Sequence, residues 1–184
     1  LSLSEFLCKD RYFPTVRFVA GTTLQGQYMA EYRNEDVLFD QEKIQVWDWA
    51  GVNIKNESQG NEKDSTSIQY HVIQKLKEQN FDIIFDDDNA GEIADVIAIE
   101  VDDVNKKVKV ELFHLKFSQE DRPGARINDL YAVNGQAQKC VSWLHTRPEH
   151  IIGRMLRRGA SGPKNRYELG TEEQLSIIRE KVKS

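Results

Sequence analysis

The sequence predicts an α/β (α+β) domain with a mixed central sheet, in which one β-hairpin carries the candidate site. Helices flank the sheet and a β-rich segment precedes it. Three observations lead there. A helical apolar stripe at Ile68, Val72, Ile73 and Leu76 is followed by a short apolar run, FDIIF, at 81–85. Two strong strand-type runs come next, EIADVIAIEV (92–101) and KVKVELFHLKF (107–117), with only DDVNK between them, which is hairpin spacing. A long amphipathic helix then spans roughly 128–145, with Leu130, Val133, Ala137, Cys140, Val141 and Leu144 at helical spacing.

The remaining elements follow in chain order. Residues 1–52 form the β-rich segment, because TVRFV, QGQYMAEY, VLF and KIQVW carry β-branched and aromatic residues between Gly, Asn and Asp breaks. Trp47 and Trp49 sit two apart and so share a strand face, where core packing is their expected role. Residues 53–64, NIKNESQGNEKD, are polar and aperiodic, a linker or exposed loop that opens the second region, 53–184. Asp64 or Ser65 is placed to cap the first helix. DDDNAG (86–91) reads as a solvated acidic turn and SQEDRPGAR (118–126) as a loop. The tail carries a basic stretch, GRMLRRGASGPKNR, and ends in a helix that Thr171 caps within a TEEQ capping box.

Bulk properties set limits. The 184 residues suit one domain with a small attachment, and 39% hydrophobic with 30% charged residues is ordinary globular composition. Apolar runs stay short of the ~18 residues a membrane span needs, and LSLSEFLCKDRYF lacks the basic head and apolar stretch of a secretory signal, so a cytoplasmic protein is expected. Cys8 and Cys140 are far apart and form no CxxC pair, which reads as two buried thiols rather than a zinc knuckle. A net charge of −5 argues against non-specific coating of nucleic acid but leaves room for one local basic surface. Walker, GxSxG and dinucleotide-binding motifs do not occur.

The hairpin holds the chemistry. If the chain reverses between Val104 and Asn105, Asp95 falls opposite His114, and Lys116, two residues on, shares that face. A slip of one residue would put Phe113 or Leu115 there instead. Glu111 alternates to the far face, whereas Glu92 and, from the polar loop, Glu57 are better placed to add a carboxylate. On spacing alone, a solvated Asp–Lys pair at a strand end stands beside the functional reading.

GEIADVIAIEV, a turn and VELFHLKFS resemble the core of PD-(D/E)XK, or restriction-endonuclease-like, nucleases, over about residues 65–145. That family places an Asp near the start of one strand and an acid-x-Lys on the next. Here His114 stands where the acid is expected. The resemblance implies a metal-dependent nuclease, a DNA endonuclease with RNA also open, in a microbial restriction or anti-phage defence system. It implies Mg²⁺ or Mn²⁺, with Mn²⁺ the readier partner of imidazole. It also implies other domains or subunits as partners.

The implied metal ligands are Asp95, His114, the backbone of Leu115, and Glu92. Lys116 would act on the attacking water, and Gln136, on the helix after the Lys strand, would brace the site. Gln69 and Tyr70 begin a helix that in such nucleases carries polar residues toward metal or substrate. Lys139, Arg154, Arg157, Arg158, Lys164 and Arg166 are candidate nucleic-acid contacts; a solvated face or a contact to a larger protein is the other reading of the basic stretch. Two rivals remain: an inactive nuclease fold that binds nucleic acid or partner subunits, and a protein-interaction module.

Overall fold

The computed structural model describes residues 15–17, 23–25, 28–30, 41–124, 126–144, 146–161 and 164–183. The chain divides into two compact units, 1–47 and 48–184.

In the first unit three short strands, β1 (Thr15–Arg17), β2 (Thr23–Gln25) and β3 (Tyr28–Ala30), pair as an antiparallel meander. A single 3₁₀ turn follows at Gln41–Lys43. Residues 44–49 hold no strand, which corrects the reading of KIQVW. Trp49 is accordingly not a core residue: it is 39% exposed and lies against the His71 ring, 4.9 Å between centroids. VLF and Cys8 lie outside the described residues.

The second unit is an α+β domain. A four-stranded sheet runs in the order β6 (Lys107–Phe113), β5 (Val96–Asp102), β4 (Ile83–Asp86), β7 (Tyr167–Leu169). Its pairings are antiparallel throughout, where a mixed sheet was expected. The hairpin register is the expected one: Val96 faces Phe113 and Asp102 faces Lys107, so the ladder ends immediately before Asp95 and His114. Lys106, at φ 53°, supplies the left-handed residue that a tight reversal needs.

Strand alternation explains the layers. Ile83, Phe85, Ile97 and Ile99 pack with Ile151, Ile152 and Met155 of helix α3 (Pro148–Gly159) and Leu175 and Ile178 of α4 (Glu172–Lys183). Ile84 and Ala98, opposite each other, are left for the other face, where α1 (Ile68–Lys77) brings the buried Val72, Ile73 and Leu76. A strand buried on both faces needs a continuous apolar run, and IIF supplies it. Helix α2 (Ile127–Leu144) spans where the apolar spacing put it and lends Cys140 to the core, but Leu130, Ala137 and Val141 of its expected apolar stripe are exposed. The cap of α1 is Ser67, whose side chain accepts from the Tyr70 amide, rather than Asp64 or Ser65. Thr171 Oγ1 accepts from the Gln174 amide at 3.2 Å, as the capping box requires.

Helix α3 and strand β7 arise in the tail that composition marks only as basic. Pro148 at the first turn, with Ile151, Ile152 and Met155 on one face, is the pattern that makes this segment a helix. Among the described residues no helix is long and apolar enough to cross a membrane.

Candidate metal centre at the open end of the hairpin

Where the β5–β6 ladder ends, the chains diverge and the last polar side chains turn toward one another. Asp95, 4% exposed, accepts the Leu115 amide N–H on Oδ2 at 2.9 Å. His114 Nδ1 lies 3.6 Å from that same oxygen. Lys116 Nζ sits 2.7 Å from Glu57 Oε2, which also accepts the Phe117 amide at 2.8 Å. The two adjacent strands thus bring Asp95, His114 and Lys116 to one end of the sheet. Leu115 reaches Asp95 through its amide.

Glu57 arrives from the segment read as a linker or exposed loop. That segment is stitched to the start of α1: Asn56 and Glu57 carbonyls accept from the Ile68 and Gln69 amides, both at 2.9 Å. Gln59 is buried, and its side chain donates to Asp86 Oδ2 and Glu168 Oε1. Gln69, buried on α1, donates to Asp86 Oδ1 and to the Asp95 carbonyl, both at 3.2 Å, and accepts from the Gln59 amide. Gln69 therefore holds the backbone of Asp95 in place from beneath rather than facing a substrate. Tyr70, its neighbour, is half-buried on the same helix.

Asp88, Glu92 and Asp95 offer carboxylate oxygens that all lie within 4.8 Å of one another. Burial holds the Asp95 carboxyl above its ordinary range, although the Leu115 amide opposes this and nearby Glu57 adds to it. Burial likewise raises Glu92, with repulsion from Asp95 and Asp88 adding to it. Asp95 and Glu92 therefore keep their protons to higher pH than free carboxyls, and a divalent cation would displace them. His114 Nδ1, a buried atom with no hydrogen-bond partner, faces Asp95 but is not among the three mutually close carboxylates, so its fit to an ion runs through Asp95. Glu92 is thus where the sequence placed it, and Asp88 joins it from the turn read as solvated.

A cavity of about 440 Å³ adjoins these groups, lined by Glu92, His114, Gln136, Cys140 and Trp143. Gln136 comes to this cavity from α2, with a buried Oε1 that has no hydrogen-bond partner. Glu111, by contrast, turns away and pairs with Lys109.

The acidic turn and the basic tail belong together, which alters both readings. Asp86 and Asp87 are fully buried. Lys164 Nζ lies 2.8 Å from Asp86 Oδ2, and Arg158 Nε is paired with Asp87 Oδ1. Arg158 also donates to the carbonyls of Asp87, Asp88, Asn89 and Ala90. Arg166 donates to the carbonyls of Asp86 and Asp88, and Arg154 to that of Gly91. Four of the proposed phosphate contacts, Arg154, Arg158, Lys164 and Arg166, therefore spend their donors on the chain itself. Arg157 is exposed, and the Lys139 side chain lies outside the described residues. Sequence reasoning had no signal for this clamp, since its partners are separated by some 63 to 80 residues.

Compared with known proteins, the chain matches no family model, no curated protein and no solved structure.

Proposed function

We propose that this chain is a metal-dependent nuclease that hydrolyses phosphodiester bonds, most simply an endodeoxyribonuclease. A microbial restriction or anti-phage defence system, in the cytoplasm and alongside other domains or subunits, is the setting we infer for it. The observation that carries this reading is the meeting of Asp95, His114, Lys116 and Glu57 where the hairpin opens. Mg²⁺ or Mn²⁺ held by Asp95, together with His114 or with Glu92 and Asp88, would polarise a phosphate oxygen and acidify a bound water.

The chain's own residues do the rest. Lys116, beside this cluster, orients the attacking water and offsets charge growing on the phosphoryl oxygens. Glu57 keeps the ammonium in position at 2.7 Å and supplies a carboxylate near the place where His114 replaces the expected acid. The Leu115 amide holds the Asp95 carboxylate in place through Oδ2, which leaves Oδ1 and a second lone pair of Oδ2 to bind. Gln136, facing the adjoining cavity with a polar atom in need of a partner, is suited to hold a water or a phosphate oxygen.

The test is cleavage of supercoiled plasmid and of labelled DNA and RNA strands by purified protein with Mg²⁺, Mn²⁺ or a chelator. Cleavage that requires the ion and falls at least about 10²-fold in Lys116→Ala supports the reading. A wild-type protein that leaves every substrate intact with either ion contradicts it.

A second reading is an inactive fold that docks a partner. The observation favouring it is the row of exposed apolar side chains on α2, Ile127, Leu130, Tyr131 and Val141. Stable capture of a partner by a protein that neither cuts nor binds nucleic acid would select it.

A further inference from the structure

Cys140, on α2, has its Sγ 2.6 Å from the Ile93 carbonyl oxygen and 2.9 Å from His114 Nε2. A thiol carries one hydrogen and a carbonyl oxygen carries none. Because the Ile93 carbonyl can only accept, the S–H is given to it. Sulfur then meets the imidazole as an acceptor, and Nε2 must carry the ring hydrogen. In the neutral ring this leaves Nδ1 as a bare lone pair. That nitrogen is buried, lacks a hydrogen bond, and faces Asp95 Oδ2 across 3.6 Å.

Two acceptors facing each other across a desolvated gap repel unless a positive charge lies between them. A histidine that binds metal through one nitrogen has that nitrogen chosen by the partner of the other. Such partners are usually carboxylates or carbonyls that accept the ring N–H; here a buried thiol, itself pinned by the Ile93 carbonyl, does it. Ile93 lies between Glu92 and Asp95 in the chain, so the same backbone that carries the acids also orients the imidazole.

We propose that Cys140 is a positioning residue: it fixes the Nε2–H tautomer of His114, so that Nδ1 is offered, together with Asp95, to a divalent cation. This rests on the metal-site part of the nuclease reading. It adds a preference, because an imidazole ligand shifts the site from Mg²⁺ toward borderline ions such as Mn²⁺ and Zn²⁺.

The experiment is long-range ¹H–¹⁵N NMR of the histidine rings in the full chain, with the His114 signals identified by their loss in His114→Gln. Zn²⁺ is the diamagnetic probe, and Mn²⁺ affinity is read separately by electron paramagnetic resonance. Without metal, in the spectrum of the neutral ring, the wild type should show a protonated Nε2 and a bare Nδ1. Zn²⁺ should then move Nδ1 while the Nε2 hydrogen persists. Cys140→Ser, whose hydroxyl can donate to Ile93 and accept from His114, should keep both results. Cys140→Ala should mix the tautomers and weaken Mn²⁺ binding about tenfold, the low end for a lost outer-shell partner.

A wild type carrying its hydrogen on Nδ1 would overturn the proposal, whatever the variants do. So would Cys140→Ala binding Mn²⁺ as tightly as wild type. If the expected tautomer is found but neither ion binds, the metal role given to Cys140 fails together with the metal site, while the thiol–imidazole contact stands. If the tautomer and Zn²⁺ shift are as expected but no nucleic acid is cut, the nuclease reading alone fails.

Discussion

Five acids lie between Asp86 and Asp95, and they meet two different fates. Asp86 and Asp87 are fully buried, yet each has a cation: Lys164 for the first, Arg158 for the second. Asp88, Glu92 and Asp95 crowd within 4.8 Å of one another and receive hydrogen bonds from Ser58, the Asn89 and Leu115 amides, but no lysine or arginine ion pair among the described residues. The first pair is structural, because a buried carboxylate already balanced has nothing left to offer a ligand. The second group is unbalanced, and a fold retains such a cluster at a cost that a bound cation would offset. Sign and distance of the nearest cation, rather than acidity of the segment, separate scaffold from site.

The comparison can be broken at several points. The largest effect expected is on cleavage: Asp95→Asn should lower it about 10³-fold in a plasmid assay with Mn²⁺ while the far-ultraviolet circular dichroism spectrum is unchanged. On the structural side, Arg158→Ala leaves the Asp87 carboxylate buried without its ion-pair partner and takes one donor from each of four carbonyls, of which Asp88 and Asn89 keep another. It should cost about 3–5 kcal/mol in denaturant unfolding. A cost below about 1 kcal/mol would mean that the two groups of acids are not different in kind.

A smaller effect of opposite sign is shared by the site acids and the scaffold's Asp87, whose carboxyl burial also raises despite its ion pair with Arg158. Asp95 and Glu92 have carboxyls raised above 3.8 and 4.5, mainly by burial. The folded chain therefore binds more protons than the unfolded one between those ordinary values and the raised ones. Stability without metal should decline as pH rises through that window, and both Asp95→Asn and Glu92→Gln should flatten this part of the profile in thermal melts. At neutral pH, Mn²⁺ should raise the wild-type melting temperature, and Asp95→Asn should remove most of the rise. The smallest effect belongs to Arg157, exposed and outside the clamp: Arg157→Ala should change stability by less than about 0.5 kcal/mol.

How much of this was legible depends on how local each interaction is. The hairpin was readable down to its register, because two strands joined by a few residues have one alternation that buries Ile97 and Ile99 together. Asp95, His114 and Lys116 followed from that register. The α1 stripe was readable from periodicity for the same reason, whereas on α2 periodicity gave the span but not the burial, since Leu130 and Val141 are exposed. Strand β7 was not, since three residues, Tyr167–Leu169, become a strand only by adding to the edge of β4. The basic stretch misled because composition gives charge but not direction: Arg158 and Arg166 point inward to carbonyls that no local pattern reveals. The polar loop misled likewise, as Gln59 and Glu57 are fixed by partners more than 25 residues away. The tautomer of His114 depends on Cys140, 26 residues on, and needed coordinates to be seen.

The most direct test of the central claim is anomalous diffraction from crystals of the chain grown with Mn²⁺. The account predicts a single strong peak bonded to Asp95 and to Nδ1 of His114. A peak elsewhere, or none at this position at an ion concentration that saturates the protein in solution, would contradict it.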